Sequence, residues 1–143
     1  MQMRQPHNIY INGYGSGSDF LIKYDNQGAF IWARFIEEIN GDMITSWSRA
    51  GQGLAVDSFE NIYVIGRAPN DNYYIVRFNH IGEKNWTHIF SNLNAEINEA
   101  SGINIDKNGD LFITGNGSGS LNKDSNLGGT DFFIVKYDLG SRL

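Results

Sequence analysis

An all-β fold assembled from repeated, short antiparallel sheets is what this sequence predicts, on three observations. A strand written Asn8-Ile9-Tyr10-Ile11-Asn12-Gly13 returns as Asn61-Ile62-Tyr63-Val64-Ile65-Gly66 and again as Asp110-Leu111-Phe112-Ile113-Thr114-Gly115. A second strand, Asp19-Phe20-Leu21-Ile22-Lys23-Tyr24-Asp25, returns as Tyr73-Tyr74-Ile75-Val76-Arg77-Phe78-Asn79 and as Asp131-Phe132-Phe133-Ile134-Val135-Lys136-Tyr137-Asp138. The third observation is the spacing: Gly13, Gly66 and Gly115 stand 53 and 49 residues apart. Self-similarity at a period of that size marks an array of supersecondary units.

Each unit is read as four strands. The second and third units open on Gly53-Leu54-Ala55-Val56-Asp57 and Gly102-Ile103-Asn104-Ile105-Asp106. A tight turn follows, through Asp57-Ser58-Phe59-Glu60-Asn61 or Asp106-Lys107-Asn108-Gly109-Asp110. Asp, Asn, Ser and Gly suit such turns because they cap their own backbone or accept a left-handed conformation. The two repeated strands come next, joined by glycine- and serine-rich connections expected to be loops. A turn at Gly28 or Gly82 then leads to a last strand, Ala29-Phe30-Ile31-Trp32-Ala33-Arg34-Phe35 or Glu83-Lys84-Asn85-Trp86-Thr87-His88-Ile89-Phe90. The middle strands are apolar at nearly every position instead of alternating. That pattern predicts sheets buried on both faces, as in the stacked blades of a β-propeller. No segment carries a helical period.

Bulk properties narrow the function classes. At 143 residues the chain can bury a real core. Its net charge is −5, with Lys and Arg scattered; a nucleic-acid surface needs a basic stripe, so none is expected. No apolar run reaches the roughly 20 residues of a membrane helix, so no membrane insertion is expected. With no Cys, disulfides, thiolate metal sites and Cys nucleophiles are all excluded.

The run Gly102-Ile103-Asn104-Ile105-Asp106-Lys107-Asn108-Gly109-Asp110-Leu111-Phe112-Ile113-Thr114-Gly115 resembles the "G-x-A-V-D-x-x-G-N-V-Y-V-T-G" signature of the bacterial SBBP-type repeat family, named for an expected seven-bladed β-propeller. Gly128-Gly129-Thr130-Asp131-Phe132-Phe133-Ile134-Val135-Lys136-Tyr137-Asp138 resembles that family's "G-G-x-D-A-F-V-A-K-L-D" segment, and the step from Gly82 to Trp86 its "G-x-x-x-W" segment. Two departures stand out. Arg4 falls where the first unit would carry the counterpart of Asp57, and the third unit's expected tryptophan falls one residue past Leu143. The expectation is a single open propeller segment: a partial blade at about 1–40, a full blade at about 51–92 and a partial blade at about 100–143. The apolar flanks of its end blades predict self-association.

If successive strands alternate in direction, one end of the stack carries only tight turns and the other the long connections: Gly13–Ser18, Arg67–Asn72, Gly115–Thr130, Ile36–Gln52 and Ser91–Ser101. Function on such scaffolds gathers where loops are long and varied, which singles out Trp47, Arg49, Arg67, Asp71, Lys123 and Asp124 as candidate ligand-binding residues. The turn at Asp106–Asp110 offers oxygens at a calcium-loop spacing but has Leu111 where the loop needs glycine, so a plain hairpin turn is expected. The Gly-Ser-Gly-Ser runs at 15–18 and 117–120 lack the Lys-Ser/Thr ending of a phosphate loop and read as flexible loops. His7, His80 and His88 form no ligand spacing for zinc. Lys23, Arg77 and Lys136 recur at one strand position, as Trp32 and Trp86 do at another. Recurrence in every unit points to structure, because a site is made once.

No catalytic residue, metal or cofactor is expected. The expected function is that of a non-catalytic binding or scaffold module recognising protein or glycan through its long-loop face, in a secreted or cell-surface protein as the family resemblance implies. The alternatives are a fragment of a propeller enzyme of quinoprotein, lyase or glycosidase type, and a truncated product without independent function.

Overall fold

The computed structural model describes residues 7–36, 38–39, 42–43, 53–67, 73–90, 95–119 and 128–139, and among them every regular element is a strand. The first sheet is a meander of β1 (Ile9–Gly15), β2 (Ser18–Tyr24) and β3 (Phe30–Ile36). Two short strands, β4 (Glu38–Ile39) and β5 (Asp42–Met43), pair in a segment that the sequence reading treats as loop. The second sheet has four strands: β6 (Gly53–Val56), β7 (Ile62–Arg67), β8 (Tyr73–Phe78) and β9 (Lys84–Phe90). The third is β10 (Ala95–Ile105), β11 (Leu111–Gly119) and β12 (Asp131–Tyr137). All pairings are antiparallel and follow chain order. The fold is all-β.

Four hairpin turns share one construction. In each, an Asp or Asn (Asp25, Asp57, Asn79, Asp106) donates its N–H to the carbonyl four residues on at 2.9–3.0 Å and accepts from the N–H three residues on at 3.0–3.1 Å. Its side-chain Oδ1 accepts two further N–H groups, from the second and fourth residues on. The fourth residue of the turn must therefore sit in the left-handed region. Gly28, Gly82 and Gly109 do so at φ +87°, +83° and +89°, whereas Glu60 does so without glycine's freedom, at φ +60°.

The strands also repeat a cross-strand pair. Gly13 faces Phe20, Gly66 faces Tyr74 and Gly115 faces Phe133. A Cβ on Gly13 would meet the Phe20 ring at 2.7 Å, and one on Gly66 would collide with the Tyr74 ring. The recurring glycine is thus the seat of an aromatic ring lying across the ladder. Three residues along, on the opposite face, stands a cation: Lys23 pairs with Tyr10 and Trp32, Arg77 with Tyr63 and Trp86, and Lys136 with Phe112. Each cation lies 5.4–5.9 Å from the centre of its cross-strand ring.

Each sheet therefore has a glycine-bearing face and a cation-bearing face, and the sheets stack one kind onto the other. Leu21, Trp32 and Ile36 on the cation face of the first sheet bury against Ile62, Val64, Tyr74, Val76 and Phe78 of the second. Tyr63, Ile65, Tyr73 and Ile75, on the second sheet's other face, bury against Ala100, Leu111 and Ile113 of the third. The central sheet is covered on both sides, which explains strands apolar at every position. Among the described residues the outer sheets are covered on one side only, and β12 alternates between half-buried and exposed residues.

Two expectations about loops are corrected. The Gly13–Ser18 connection is a two-residue hairpin turn, with Ser16 and Gly17 at φ +55° and +85°, because two successive left-handed residues match the twist of the flanking strands. The glycine-serine run at 117–120 reads as loop, yet Gly117, Ser118 and Gly119 pair with Ile97, Glu96 and Ala95, across irregularities at Ile97/Glu99 and Ala100/Gly102. Backbone hydrogen bonds, which carry no side-chain signature, hold this extension.

Candidate functional site

Of the residues that the sequence singles out for ligand binding, Trp47, Arg49, Asp71, Lys123 and Asp124 lie outside the described residues. Arg67 closes β7, where its backbone pairs with Tyr73. Of the six, Arg67 is the one that the structure describes. What it does assemble lies at the other end of the stack, among the tight turns, and is built from the recurring cations.

At the first interface, Lys23 leaves β2 toward the second sheet with its side chain only 6% exposed. Its Nζ donates to Glu60 Oε2 at 3.1 Å and to the His80 carbonyl at 2.9 Å. Asn8 Nδ2 donates to the other Glu60 oxygen at 2.7 Å, and Trp32 Nε1 reaches the His80 carbonyl at 3.3 Å. Arg34 Nε donates to the Gly82 carbonyl at 2.8 Å, with its guanidinium 5.3 Å from the Trp32 ring. Two turns of one sheet are thereby gripped by Lys23 of β2 and by Trp32 and Arg34 of β3 in its neighbour. A charge buried this deeply persists only when paired and hydrogen-bonded.

At the second interface the same construction leaves a cavity. Its volume is about 560 Å³, and its walls include Val56, Asp57, Tyr63, Arg77, Ile105, Gly109 and Leu139. Asp57 Oδ2 accepts from Asn61 Nδ2 at 2.8 Å and from the Tyr63 hydroxyl at 3.2 Å, so with its turn both of its oxygens are engaged. Burial, then the Asp57 charge, pushes the Tyr63 phenol up to about 12, against the pull of Arg77. Arg77 lies over Tyr63, while its Nε is shut from solvent with no hydrogen-bond partner among the described residues. Tyr137 Oη and His88 Nε2 lie 2.8 Å apart, a polar tie between these two sheets.

A further polar cluster lies where β1 turns into β2. Asp19, 3% exposed, accepts a short hydrogen bond of 2.5 Å from the Tyr74 hydroxyl through Oδ2, and its Oδ1 is buried without a partner among the described residues. Burial pushes the Asp19 carboxyl above its ordinary 3.8, with the Tyr74 hydrogen bond pulling the other way. Burial and the Asp19 charge push the Tyr74 phenol far above its own ordinary value. Tyr74 therefore serves as a proton donor, holding the one carboxylate enclosed between the first two sheets among the described residues.

Among the described residues no three His, Asp or Glu side chains converge as metal ligands. The Asp106 Oδ1 accepts from the Asn108 and Asp110 N–H groups, which lowers its carboxyl below the ordinary range. No helix there is long and apolar enough to cross a membrane. Comparison with known proteins gives no match, neither to a family model nor to a curated sequence.

Sequence reasoning registered Lys23, Arg77 and Lys136 as one repeated position but missed what separates them. The signal was present in the turns: Glu60 occupies a place that glycine holds in the other three.

Proposed function

We propose that the chain is a segment of an SBBP-type β-propeller and works as a non-catalytic scaffold, its sheets serving as blades and its loop end meeting a protein or glycan partner. The observation that carries this reading is the order of the stacking: twice in succession a cation-bearing face lies on a glycine-bearing face. The two faces left over are of opposite kinds. The first sheet exposes Ile9, Ile11 and Phe35 on its glycine face, and the third exposes Phe132 and Ile134, 93% and 69% accessible, on its cation face. Such faces fit a further blade on each side, and patches of this sort rarely stay bare. A scaffold role also accords with how the repeated polar side chains are used, since Lys23, Trp32 and Arg34 all bond to neighbouring turns.

Between copies of this chain the same two faces would meet. Light scattering over a concentration series tests this: the mass should rise to a fixed multiple of the monomer and fall back to the monomer in Ile134→Lys. A chain that stays monomeric at the highest concentration overturns the reading. Trp47, Arg49, Arg67, Asp71, Lys123 and Asp124 remain the proposed partner-facing residues, and alanine there should leave the assembled mass unchanged.

A further inference from the structure

We propose that the groove between the second and third sheets binds a small organic monocarboxylate, gripped by Arg77 where the first interface uses the carboxylate of Glu60. The argument is a comparison of two interfaces built on one plan. Lys23 and Arg77 hold the same register, each between a tyrosine and a tryptophan on neighbouring strands. Opposite Lys23 stands the turn Asp57–Asn61, whose left-handed residue supplies a carboxylate; opposite Arg77 stands the turn Asp106–Asp110, whose left-handed residue is Gly109. The fold keeps the cation and places glycine where the first interface carries Glu60.

The space for it is there. A Cβ built on Gly109 meets no atom within 4 Å, and Gly109 and Arg77 line the same cavity of about 560 Å³. That volume falls in the range of small-ligand sites. Arg77 Nε is enclosed and unbonded among the described residues, a costly condition for a charged donor that a carboxylate oxygen relieves. A guanidinium presents a planar fork that matches a carboxylate better than it matches a spherical anion. Val56, Ile105 and Leu139 give the walls an apolar character, which favours an acid with a hydrocarbon body. The two nearby aspartates limit the ligand to one negative charge. Asp57 is engaged through both oxygens, Asp106 is tied into its own turn through Oδ1, and Lys107 stands exposed at the rim.

The test uses benzoate as probe, acetate as the head group alone and benzyl alcohol as the neutral control, at constant ionic strength. The readout is the Arg77 Nε–H resonance of the ¹⁵N-labelled chain. Benzoate should shift it saturably, acetate more weakly, and benzyl alcohol not at all. In Arg77→Gln, followed through the Gly109 and Tyr63 amides, benzoate affinity should fall by about tenfold or more. Gly109→Glu supplies the carboxylate internally in a turn type that already holds Glu60, so it should move the Arg77 resonance by itself and abolish the benzoate response. Gly109→Ala, which carries no charge, should keep that response and so separates charge from backbone strain. Equal binding of benzyl alcohol, an unchanged benzoate response in Gly109→Glu, or no saturable shift in the wild-type chain would each overturn the assignment.

Discussion

Glu60 holds a left-handed backbone, φ +60°, while its carboxylate receives Lys23 from the neighbouring sheet at 3.1 Å. The two facts belong together. The turn favours glycine at that place, and a left-handed side chain costs about 1–2 kcal/mol. Removing the partner of a buried cation costs more, about 3–5 kcal/mol where both groups are enclosed. Glu60 is partly exposed, so the pair's worth here falls below that range.

Glu60→Gly should therefore relax the turn and still destabilise the chain, by a net of about 1–2 kcal/mol. Glu60→Gln retains an oxygen for Asn8 and should lose less. Urea unfolding midpoints at constant slope check the order: wild type above Glu60→Gln, and that above Glu60→Gly. A Glu60→Gly chain as stable as the wild type would show the ion pair to be idle.

Gly66→Ala should be among the most damaging single-methyl changes in the molecule, because the added Cβ collides with the Tyr74 ring and that ring also holds Asp19. Overpacking of this kind costs about 1–3 kcal/mol. Gly28→Ala, at φ +87° in open space, should cost only the left-handed penalty of about 1 kcal/mol. Thermal unfolding of the two variants side by side distinguishes a steric cause from a conformational one.

Asp19 gives stability a pH dependence of unusual sign for a carboxyl. Its folded pKa lies above the unfolded 3.8. Between those two values the folded chain binds more protons than the unfolded one, so this group's contribution is fullest below 3.8 and is lost as pH rises through the folded value. Asp106, lowered in the fold, acts in the opposite direction and loses its contribution as pH falls through its folded value. Asp19→Asn isolates the first effect. The melting temperature of Asp19→Asn minus that of the wild type should grow as pH is raised from about 4 toward 7. A flat difference would mean that Asp19 ionises as freely in the folded chain as in the unfolded one.

Much of the architecture was legible because it is local. The ladder strands carry their own apolar composition, and Asp25, Asp57, Asn79 and Asp106 announce turns through side chains that cap the following backbone. What was not legible is pairing between units. Ile62 and Tyr63 are equally apolar, so nothing in the strand says that one faces the first sheet and the other the third. The runs at 15–18 and 117–120 have the same composition, but Ser16-Gly17 ends as a two-residue turn and Gly117-Ser118-Gly119 as paired strand, because the second run finds a partner in β10. The candidate groove was hidden for a related reason. Arg77 reads as one member of a repeat, and only the contrast between Glu60 and Gly109, across an interface, gives it a separate role.

The four hairpin turns have a consequence for how the chain reaches its structure. Each closes a loop of three residues and satisfies its own backbone, so the hairpins around them can form early and independently, before any sheet meets another. Docking of one hairpin pair on the next comes later and depends on bonds such as Lys23 to Glu60. Asp57→Ala, which strips a turn of its cap, should chiefly slow refolding, whereas Glu60→Gln should chiefly speed unfolding. Because the hairpins are so alike, a wrong pair can dock nearly as well as the right one. Refolding yield should therefore fall as protein concentration rises, even where the final stability is unchanged.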